Sequence, residues 1–182
     1  MQPALSTTNS RDRLQALLPQ LFDPQVLVGD RFLRLQVDRA GTTIAITLEY
    51  IEETKTLTGD QITPMPNLPP HLLGLIASKG QVFWAVSLAH LWNLESDWQN
   101  RQQYEVAVVR LPGETEGENW VGLIIPKIRG TLRVSSTDLG AIDPAIACPI
   151  PRDQLQGMIS QDDQPLWVID IHQLRQGLEP SP

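Results

Sequence analysis

Two segments of the sequence follow the same pattern, and this internal duplication restricts the fold more than any other feature. The segment that begins at Gly74 matches the one that begins at Gly157, 83 positions later, without a gap. Five pairs of positions are identical, namely Gly74 and Gly157, Ile76 and Ile159, Gln81 and Gln164, Trp84 and Trp167, and Leu91 and Leu174. Upstream, Ile44–Leu57 matches Val121–Val134 more weakly at a distance of 77 positions, so the intervening loop is six residues longer in the second copy.

Both copies have the composition of β-strands. Short runs of β-branched and apolar residues alternate with turn residues, which is typical of strands. The predicted strand regions are Phe32–Val37, Thr42–Lys55, Leu72–Ala77, Val82–Leu88, Tyr104–Leu111, Trp120–Val134 with a bend at Pro126 or Gly130, Leu155–Ser160 and Pro165–Ile171. Gly80 suits the tight turn between the third and fourth of these regions, because glycine accepts a positive φ. Ala89–Trp92 and His172–Leu178 are predicted short helices.

A duplicated five-strand unit predicts an all-β fold of two small barrels or curled sheets. Closing a sheet into a barrel removes its exposed edges. Each half has only about 75 residues and a thin core, so the halves should pack together along an apolar seam. A groove between them would suit a peptide or a helix.

Residues 1–30 differ from the rest of the chain. Leu14, Leu17, Leu18 and Leu21 have helical spacing, and Pro19 limits this amphipathic helix to about two turns. We therefore expect an N-terminal arm with a short helix. It either packs on its own domain or docks on a partner.

Charge and composition exclude several classes of protein. The formal net charge is −7, from 14 basic and 21 acidic residues, which argues against a nucleic-acid binder that neutralises phosphates. Apolar residues form 41% of the chain, enough for a packed core. No apolar run approaches the roughly 20 residues of a membrane helix, and Met1–Ser10 lacks the apolar core of a signal peptide. Cys148 is the single cysteine, which cannot form an internal disulfide and so fits a reducing compartment. We expect a cytoplasmic protein without direct membrane insertion.

The sequence offers no set of residues for catalysis. The three histidines and Cys148 are too far apart in the sequence to form a metal site. We interpret Cys148 as a small apolar side chain. Asp162-Asp163 is typical of a hairpin turn. The duplication could bring together one aspartate from each half, as in aspartic proteases, but the equivalent positions are Ser87 and Asp170. The sequence therefore predicts no catalytic residues, no metal and no cofactor.

Several motifs, taken in order, resemble those of CheW-like proteins. Ile62–Pro69 (ITPMPNLP) is similar to the family's proline-rich loop, and Leu73–Gly80 (LGLIASKG) to the hairpin that follows it. Val121–Ile125 (VGLII) is similar to a strand of the family's second half, and Leu166–Ile171 (LWVIDI) to its closing strand. The resemblance covers about Arg31 to Leu174.

The resemblance implies two SH3-like, five-stranded β-barrels related by a pseudo-twofold duplication, with short helices. It places a CheW-like domain at residues 31–182. The first barrel would occupy about 31–100, with contributions from the C-terminus, and the second about 101–182. The function implied is a non-enzymatic adaptor that couples a CheA-type histidine kinase to the tip of a methyl-accepting chemoreceptor. The array would serve chemotaxis, or motility based on type IV pili or phototaxis.

The family's partner-binding positions fall on a few residues of this chain. The turn arginine becomes Lys79, beside Gly80, and its acidic partner becomes Glu53, or Glu52 if the register slips. The resemblance thus predicts a Glu53–Lys79 ion pair. Ile51 occupies an apolar position that faces the receptor, although a core position is an equal alternative. Gly74 and Gly80 belong to the same set, although backbone geometry alone could explain both.

Further positions depart from the family or carry a tryptophan. Ser87 stands where the first hairpin usually ends in aspartate, and Trp84 replaces a smaller residue. Because Trp84 and Trp167 are equivalent in the repeat, we expect both in the core. Trp92 and Trp98 are candidate partner contacts, since tryptophan is common at binding hot spots. The main alternative to an adaptor is a stand-alone β-barrel module that binds a peptide or ligand without a kinase.

Overall fold

The computed structural model describes residues 29–96, 102–113, 119–135, 137–161 and 164–178. The predicted N-terminal arm, Trp98 and the Asp162-Asp163 turn lie outside these residues. The strands are β1 Asp30–Gln36, β2 Thr43–Thr47, β3 Ile51–Thr58, β4 Leu72–Ser78, β5 Gln81–Ser87, β6 Gln103–Arg110, β7 Trp120–Ile125, β8 Lys127–Val134, β9 Leu155–Gln161 and β10 Gln164–Ile169. The helices are α1 Leu88–Leu91 and α2 Ile171–Leu178, with 3₁₀ turns at Leu48–Tyr50, Gly59–Gln61 and Arg152–Gln154. Neither α-helix is long and apolar enough to cross a membrane.

The strands form two five-stranded sheets, which confirms the predicted all-β class. Sheet I has the order β8-β1-β2-β10-β9, and sheet II has the order β3-β6-β7-β5-β4. Replacing each strand by the one five places later in the chain converts one order into the other. The duplication read from the sequence is therefore present in the fold, as β1–β5 and β6–β10.

The strand register agrees with both offsets of the sequence repeat. In sheet II Trp84 pairs with Val121, and in sheet I Trp167 pairs with Ile44. Trp167 is the equivalent of Trp84 at the offset of 83, and Val121 is the equivalent of Ile44 at the offset of 77. The two pairings are therefore equivalent only if both offsets hold. The β-bulges repeat as well, since the ladder skips Glu52 in β3 and Arg129 in β8.

The expected boundary near residue 100 separates the two copies but not the two sheets. Sheet I combines β1 and β2 of the first copy with three strands of the second, and sheet II does the reverse. The exchange occurs where the chain crosses between sheets, at the Leu48–Tyr50 turn and at Pro126. Proline lacks the N–H that would continue a ladder, so the predicted region Trp120–Val134 becomes two strands in different sheets.

One apolar cluster lies at the junction of the two sheets, and we call it the central cluster. Both sheets contribute side chains with no exposed surface, including Leu35 and Ile44 from sheet I and Val86 and Leu123 from sheet II. Two smaller clusters fill the sheets on their other faces, one around Ile76 and Phe83 and one around Phe32 and Val168. Because the copies exchange strands and share this cluster, they should unfold together.

We expect Leu123→Ala to lower the free energy of unfolding by about 2–5 kcal/mol, because it leaves a cavity at the junction. Urea unfolding followed by tryptophan fluorescence and by far-ultraviolet circular dichroism should give one coincident transition for wild type and variant. Thr56→Ala, on the exposed side of β3, is the control and should change little. Two separate transitions would contradict the shared core.

Candidate interaction site at the tip of the β4–β5 hairpin

The turn between β4 and β5 presents Lys79 to solvent. Ser78 and Gln81 pair across a two-residue turn in which Lys79 has a φ of 48° and Gly80 a φ of 78°. Two consecutive positive φ values suit the twist of a tight hairpin. Among the described residues, apart from its two neighbours in the chain, no atom lies within 4 Å of a Cβ built on Gly80. The turn therefore needs Gly80 for its backbone and leaves open space beside it.

Glu53 of β3 meets this turn and forms the predicted ion pair. Its Oε2 lies 3.3 Å from Lys79 Nζ, and Lys55 Nζ lies 3.6 Å from Oε1. Ser78 Oγ donates a hydrogen bond to Oε1. The alternative register is wrong, because Glu52 pairs with Arg110 instead, at 3.6 Å. We call Glu53, Ser78, Lys79 and Gly80 the hairpin corner.

The hairpin corner also links the two edges of sheet II. β3 and β4 are the outermost strands of this sheet and have no backbone ladder between them. Side chains of β3 reach the other edge, since Lys55 Nζ donates to the carbonyl of Ala77 at 3.3 Å and Glu53 contacts Ser78 and Lys79. Polar side chains thus close the curled sheet at this end, so the same residues have a structural and a candidate binding role.

Glu53 is held ionised at the hairpin corner. The hydrogen bond from Ser78 is the largest cause that lowers the pKa of Glu53, and the hydrogen bond and charge of Lys79 lower it further, against a smaller opposing effect of burial. The Lys79 side chain is 54% exposed, whereas that of Glu53 is 20% exposed. The ammonium group of Lys79 is thus paired with Glu53 on one side, while more than half of the lysine side chain stays exposed to a partner.

The remaining predicted site residues lie apart from the hairpin corner. Ile51 begins β3 and is half-buried against the central cluster, which favours the core alternative. Gly74 is buried and has a φ of 146°. A Cβ at this position would collide with the backbone carbonyl of Thr63, the residue that forms an isolated β-bridge with Leu75. Its role in the fold is therefore to let two backbones approach closely.

Trp92 does not have the exposure expected of a contact residue. It is 6% exposed, belongs to the central cluster, and its Nε1 donates to Gln154 Oε1 at 2.8 Å. Its burial favours a role in the core over the expected partner contact, because the indole joins the end of α1 in the first copy to the 3₁₀ turn of the second. Its hydrogen-bond partner is 62 positions away in the sequence, and local pattern did not indicate it.

Sequence reasoning also missed an exposed apolar surface beside the hairpin corner. Leu75 pairs with Trp84 and Ala77 with Val82, so these four side chains share one face of the hairpin, which we call the apolar strip. Val82 is 66% exposed and Trp84 37%, so the prediction that Trp84 lies in the core is wrong. Trp167, its equivalent, is 2% exposed, as predicted.

Ser87, the departure in the first copy, takes over the local role of Asp170. Asp170 Oδ1 accepts hydrogen bonds from the backbone N–H groups of His172 and Gln173 at the start of α2. Ser87 Oγ accepts the equivalent bond from His90 N at 3.4 Å and lies 2.8 Å from His90 Nδ1. Both residues therefore cap equivalent helices, and burial lowers the pKa of His90 beside Ser87.

The comparisons with known proteins agree with this geometry. The family model of the CheW-like domain matches residues 34–179. The chain belongs to the CheW-like domain family. Among solved structures, the crystal structure of the scaffolding protein TtCheW from Thermoanaerobacter tengcongensis is similar, with a TM-score of 0.64 at 16% identity, over 80% of this chain and 91% of that chain. No curated protein matches the sequence. The resemblance noted in the sequence is thus confirmed at the level of the CheW-like family and fold.

The two glycines of the hairpin should respond differently to alanine. Gly80→Ala should lower the free energy of unfolding by about 1–2 kcal/mol, because only the positive φ opposes it. Gly74→Ala should cost more, because its Cβ meets backbone atoms that no side-chain rotation can move. Urea unfolding of both variants measures the difference, and equal losses would contradict the close approach at Thr63.

Ser78→Ala should raise the pKa of Glu53, because it removes the largest single cause of the lowered pKa, and Lys79→Gln should also raise it, because it removes the lysine charge. Nuclear magnetic resonance titration of the Glu53 carboxyl carbon measures both. A lowered pKa means that the stabilisation by Glu53 is present above the ordinary glutamate pKa and is lost as the pH falls through the lowered value. An unchanged pKa of Glu53 in Ser78→Ala would contradict the Ser78 hydrogen bond as the largest single cause.

Proposed function

We propose that this CheW-like chain is a non-catalytic, cytoplasmic adaptor that couples a CheA-type histidine kinase to the tip of a methyl-accepting chemoreceptor. The array would serve chemotaxis or motility based on type IV pili or phototaxis. Membership of the CheW-like family, over nearly all the described residues, carries this proposal. A similar solved structure is that of a scaffolding protein, which agrees with a role that depends on shape.

The hairpin corner is the proposed point of contact with the kinase or receptor. Lys79 lies exposed in a tight turn, Gly80 leaves space beside it, and Glu53 pairs with the lysine ammonium group. Ile51 starts the strand that carries Glu53 and would add apolar surface if a partner reached the junction between the sheets. Gly74 would contribute through the backbone of the hairpin, and Trp92 has no place in this surface.

The Glu53–Lys79 ion pair serves to position the lysine side chain more than to supply binding energy. Exposed pairs contribute at most about 1 kcal/mol to stability, so a partner carboxylate can compete with Glu53 for Lys79 at low cost. Lysine offers a compact charge in place of the planar, forked donor of arginine, so it selects a partner by charge more than by geometry. This departure and Trp84 favour a kinase and receptor that have diverged from those of ordinary chemotaxis.

Charge reversal at the hairpin corner tests the proposal. Lys79→Glu should weaken binding to the kinase's regulatory domain by roughly tenfold or more, since 1.4 kcal/mol is a factor of ten. A pull-down followed by titration calorimetry measures the loss. Lys127→Glu, an exposed lysine of β8, makes the same charge change away from the hairpin corner and should leave binding unchanged.

The double variant Glu53→Lys/Lys79→Glu separates the two roles of the pair. Restored folding stability without restored binding would support a direct contact by Lys79. If wild-type protein shows no affinity for the kinase domain or for a receptor tip, the adaptor proposal fails. The stand-alone peptide-binding module would then be the better description.

A further inference from the structure

The apolar strip breaks the symmetry between the two copies. Its members Trp84 and Leu75 correspond to Trp167 and Met158 in the repeat. Trp167 is 2% exposed and belongs to the central cluster, and Met158 packs against that cluster. Trp84, in contrast, is 37% exposed. Equivalent strands therefore bury this pair in sheet I and leave it at the surface in sheet II.

Exposed apolar side chains are concentrated on this strip. Among the described residues, the large hydrophobic side chains that are exposed are those of Met65, Val82 and Trp84. Val82 and Trp84 are two positions apart in β5, so they point to the same side of the sheet. Contiguous exposed apolar surface marks an interaction site, whereas single exposed residues are ordinary. Tryptophan is also among the residues that most often dominate the binding energy of an interface.

The outer edge of β4 is occupied beside the strip, which restricts how a partner can approach. Thr63 exchanges both backbone hydrogen bonds with Leu75, at 2.8 and 2.9 Å. Two positions further on, the carbonyl of Ala77 accepts a hydrogen bond from Lys55 Nζ at 3.3 Å. A strand that adds to a sheet needs such edge groups for its own ladder. A partner must therefore reach the strip from its face and through side chains.

Two lysines border the strip at its hairpin end. Lys79 lies in the turn, two positions after Ala77, and Lys55 reaches the Ala77 carbonyl from β3. Both pair with the single carboxylate of Glu53, at 3.3 and 3.6 Å. These three groups together carry one net positive charge, on a chain whose formal net charge is −7. An apolar surface with a basic border is complementary to a segment in which an acidic residue accompanies apolar ones.

The length of the strip suits one face of a helix. Val82 and Trp84 are separated by two strand residues, or about 7 Å. In a helix, side chains four positions apart lie on one face, about 6 Å apart along the axis. Two apolar residues at that spacing can pack on Val82 and Trp84 together. A carboxylate in the next turn of the same helix would then come beside Lys79.

We propose that the apolar strip is the docking face for an amphipathic helix of a partner protein, with Trp84 as the central contact and Lys79 as the anchor for an acidic residue of that helix. The proposal rests on the adaptor role, because the helix belongs to the partner whose carboxylate competes with Glu53. It adds to that role an apolar contact that this chain forms with a tryptophan in place of the family's smaller residue. That contact selects a partner that fits this chain.

Fluorine resonance of the full chain labelled with 5-fluorotryptophan tests whether a partner covers the strip. The signal of Trp84 is assigned by its loss in Trp84→Phe, and its shift between H₂O and D₂O reports exposure to solvent. We expect a large solvent shift in the free chain and a small one in the complex with the kinase's regulatory domain or with a receptor tip. The signal of Trp167 should stay unchanged. A solvent shift of Trp84 that persists in both complexes would overturn the proposal.

Val82→Gln and Trp84→Gln should each weaken binding of that partner by roughly tenfold or more, measured by titration calorimetry. Val82 is 66% exposed, so its replacement tests the contact without disturbing the core. Met65→Gln is the matched control, because Met65 is 44% exposed but lines a cavity with Leu72 and Leu73 at the other end of β4. It should leave the affinity unchanged. Equal affinities of wild type and Val82→Gln would contradict the proposed contact.

Photocrosslinking from Val82→benzoylphenylalanine and from Trp84→benzoylphenylalanine tests the helical geometry. Crosslinked sites three or four positions apart in the partner would support a helix, whereas sites two positions apart would indicate an extended strand and overturn the proposal. Trp84 that is covered by phosphatidylserine vesicles alone would assign the strip to a membrane. Trp84 that is covered as the concentration of the free chain rises would assign it to a second copy. Either result would also overturn the proposal.

Failure of this proposal is distinguishable from failure of the adaptor role. If the wild-type chain binds neither the kinase domain nor the receptor tip, both fail. If Lys79→Glu weakens binding while Val82→Gln and Trp84→Gln bind as wild type does, the adaptor role stands and the helix-docking strip is wrong.

Discussion

The central cluster is the contact on which the rest of the molecule depends. Each sheet holds strands from both copies, so neither copy can complete a sheet alone. The outward faces of the two sheets then meet in one apolar core, with Leu35, Ile44 and Leu123 fully buried. A half of this size has too little interior to fold on its own, and strand exchange solves that problem by making the two halves one cooperative unit. The hairpin corner is mounted on this frame.

Duplication gives the two halves the same backbone, and their differences are concentrated in loops and a few side chains. The register, the bulges and the capped helices repeat, because they are set by strand pairing and by the backbone. The loop before β9 is six residues longer than its counterpart, and Trp167 is 2% exposed while Trp84 on the same framework is 37% exposed. Loops tolerate such length changes at small entropic cost, and for that reason a new surface arises more easily there than in the strands.

Local pattern and the repeat were sufficient to predict the strands and the β4–β5 turn, and the resemblance to the CheW-like family predicted the Glu53–Lys79 pair. These features depend on alternation, on glycine in a tight turn and on a motif shared with the CheW-like family. The exchange of strands between sheets was not predicted, because nothing local distinguishes pairing within a copy from pairing between copies. Trp92 and Trp84 were misplaced for a related reason. Trp92 is held by Gln154, 62 positions away in the sequence, and the exposure of Trp84 depends on which side chains the fold brings against it.

The hairpin corner combines closure of a sheet with a charge offered to solvent, and the two tasks are compatible for a physical reason. Closure at this end has a second bond, from Lys55 to the carbonyl of Ala77, which does not involve Lys79. Ser78 already holds the Glu53 carboxylate, so the lysine can leave Glu53 without leaving that carboxylate bare. A partner's carboxylate can therefore take Lys79 from Glu53 while Lys55 and Ser78 keep the two edges of sheet II together. This arrangement separates a weak, exchangeable contact from the bonds that maintain the fold.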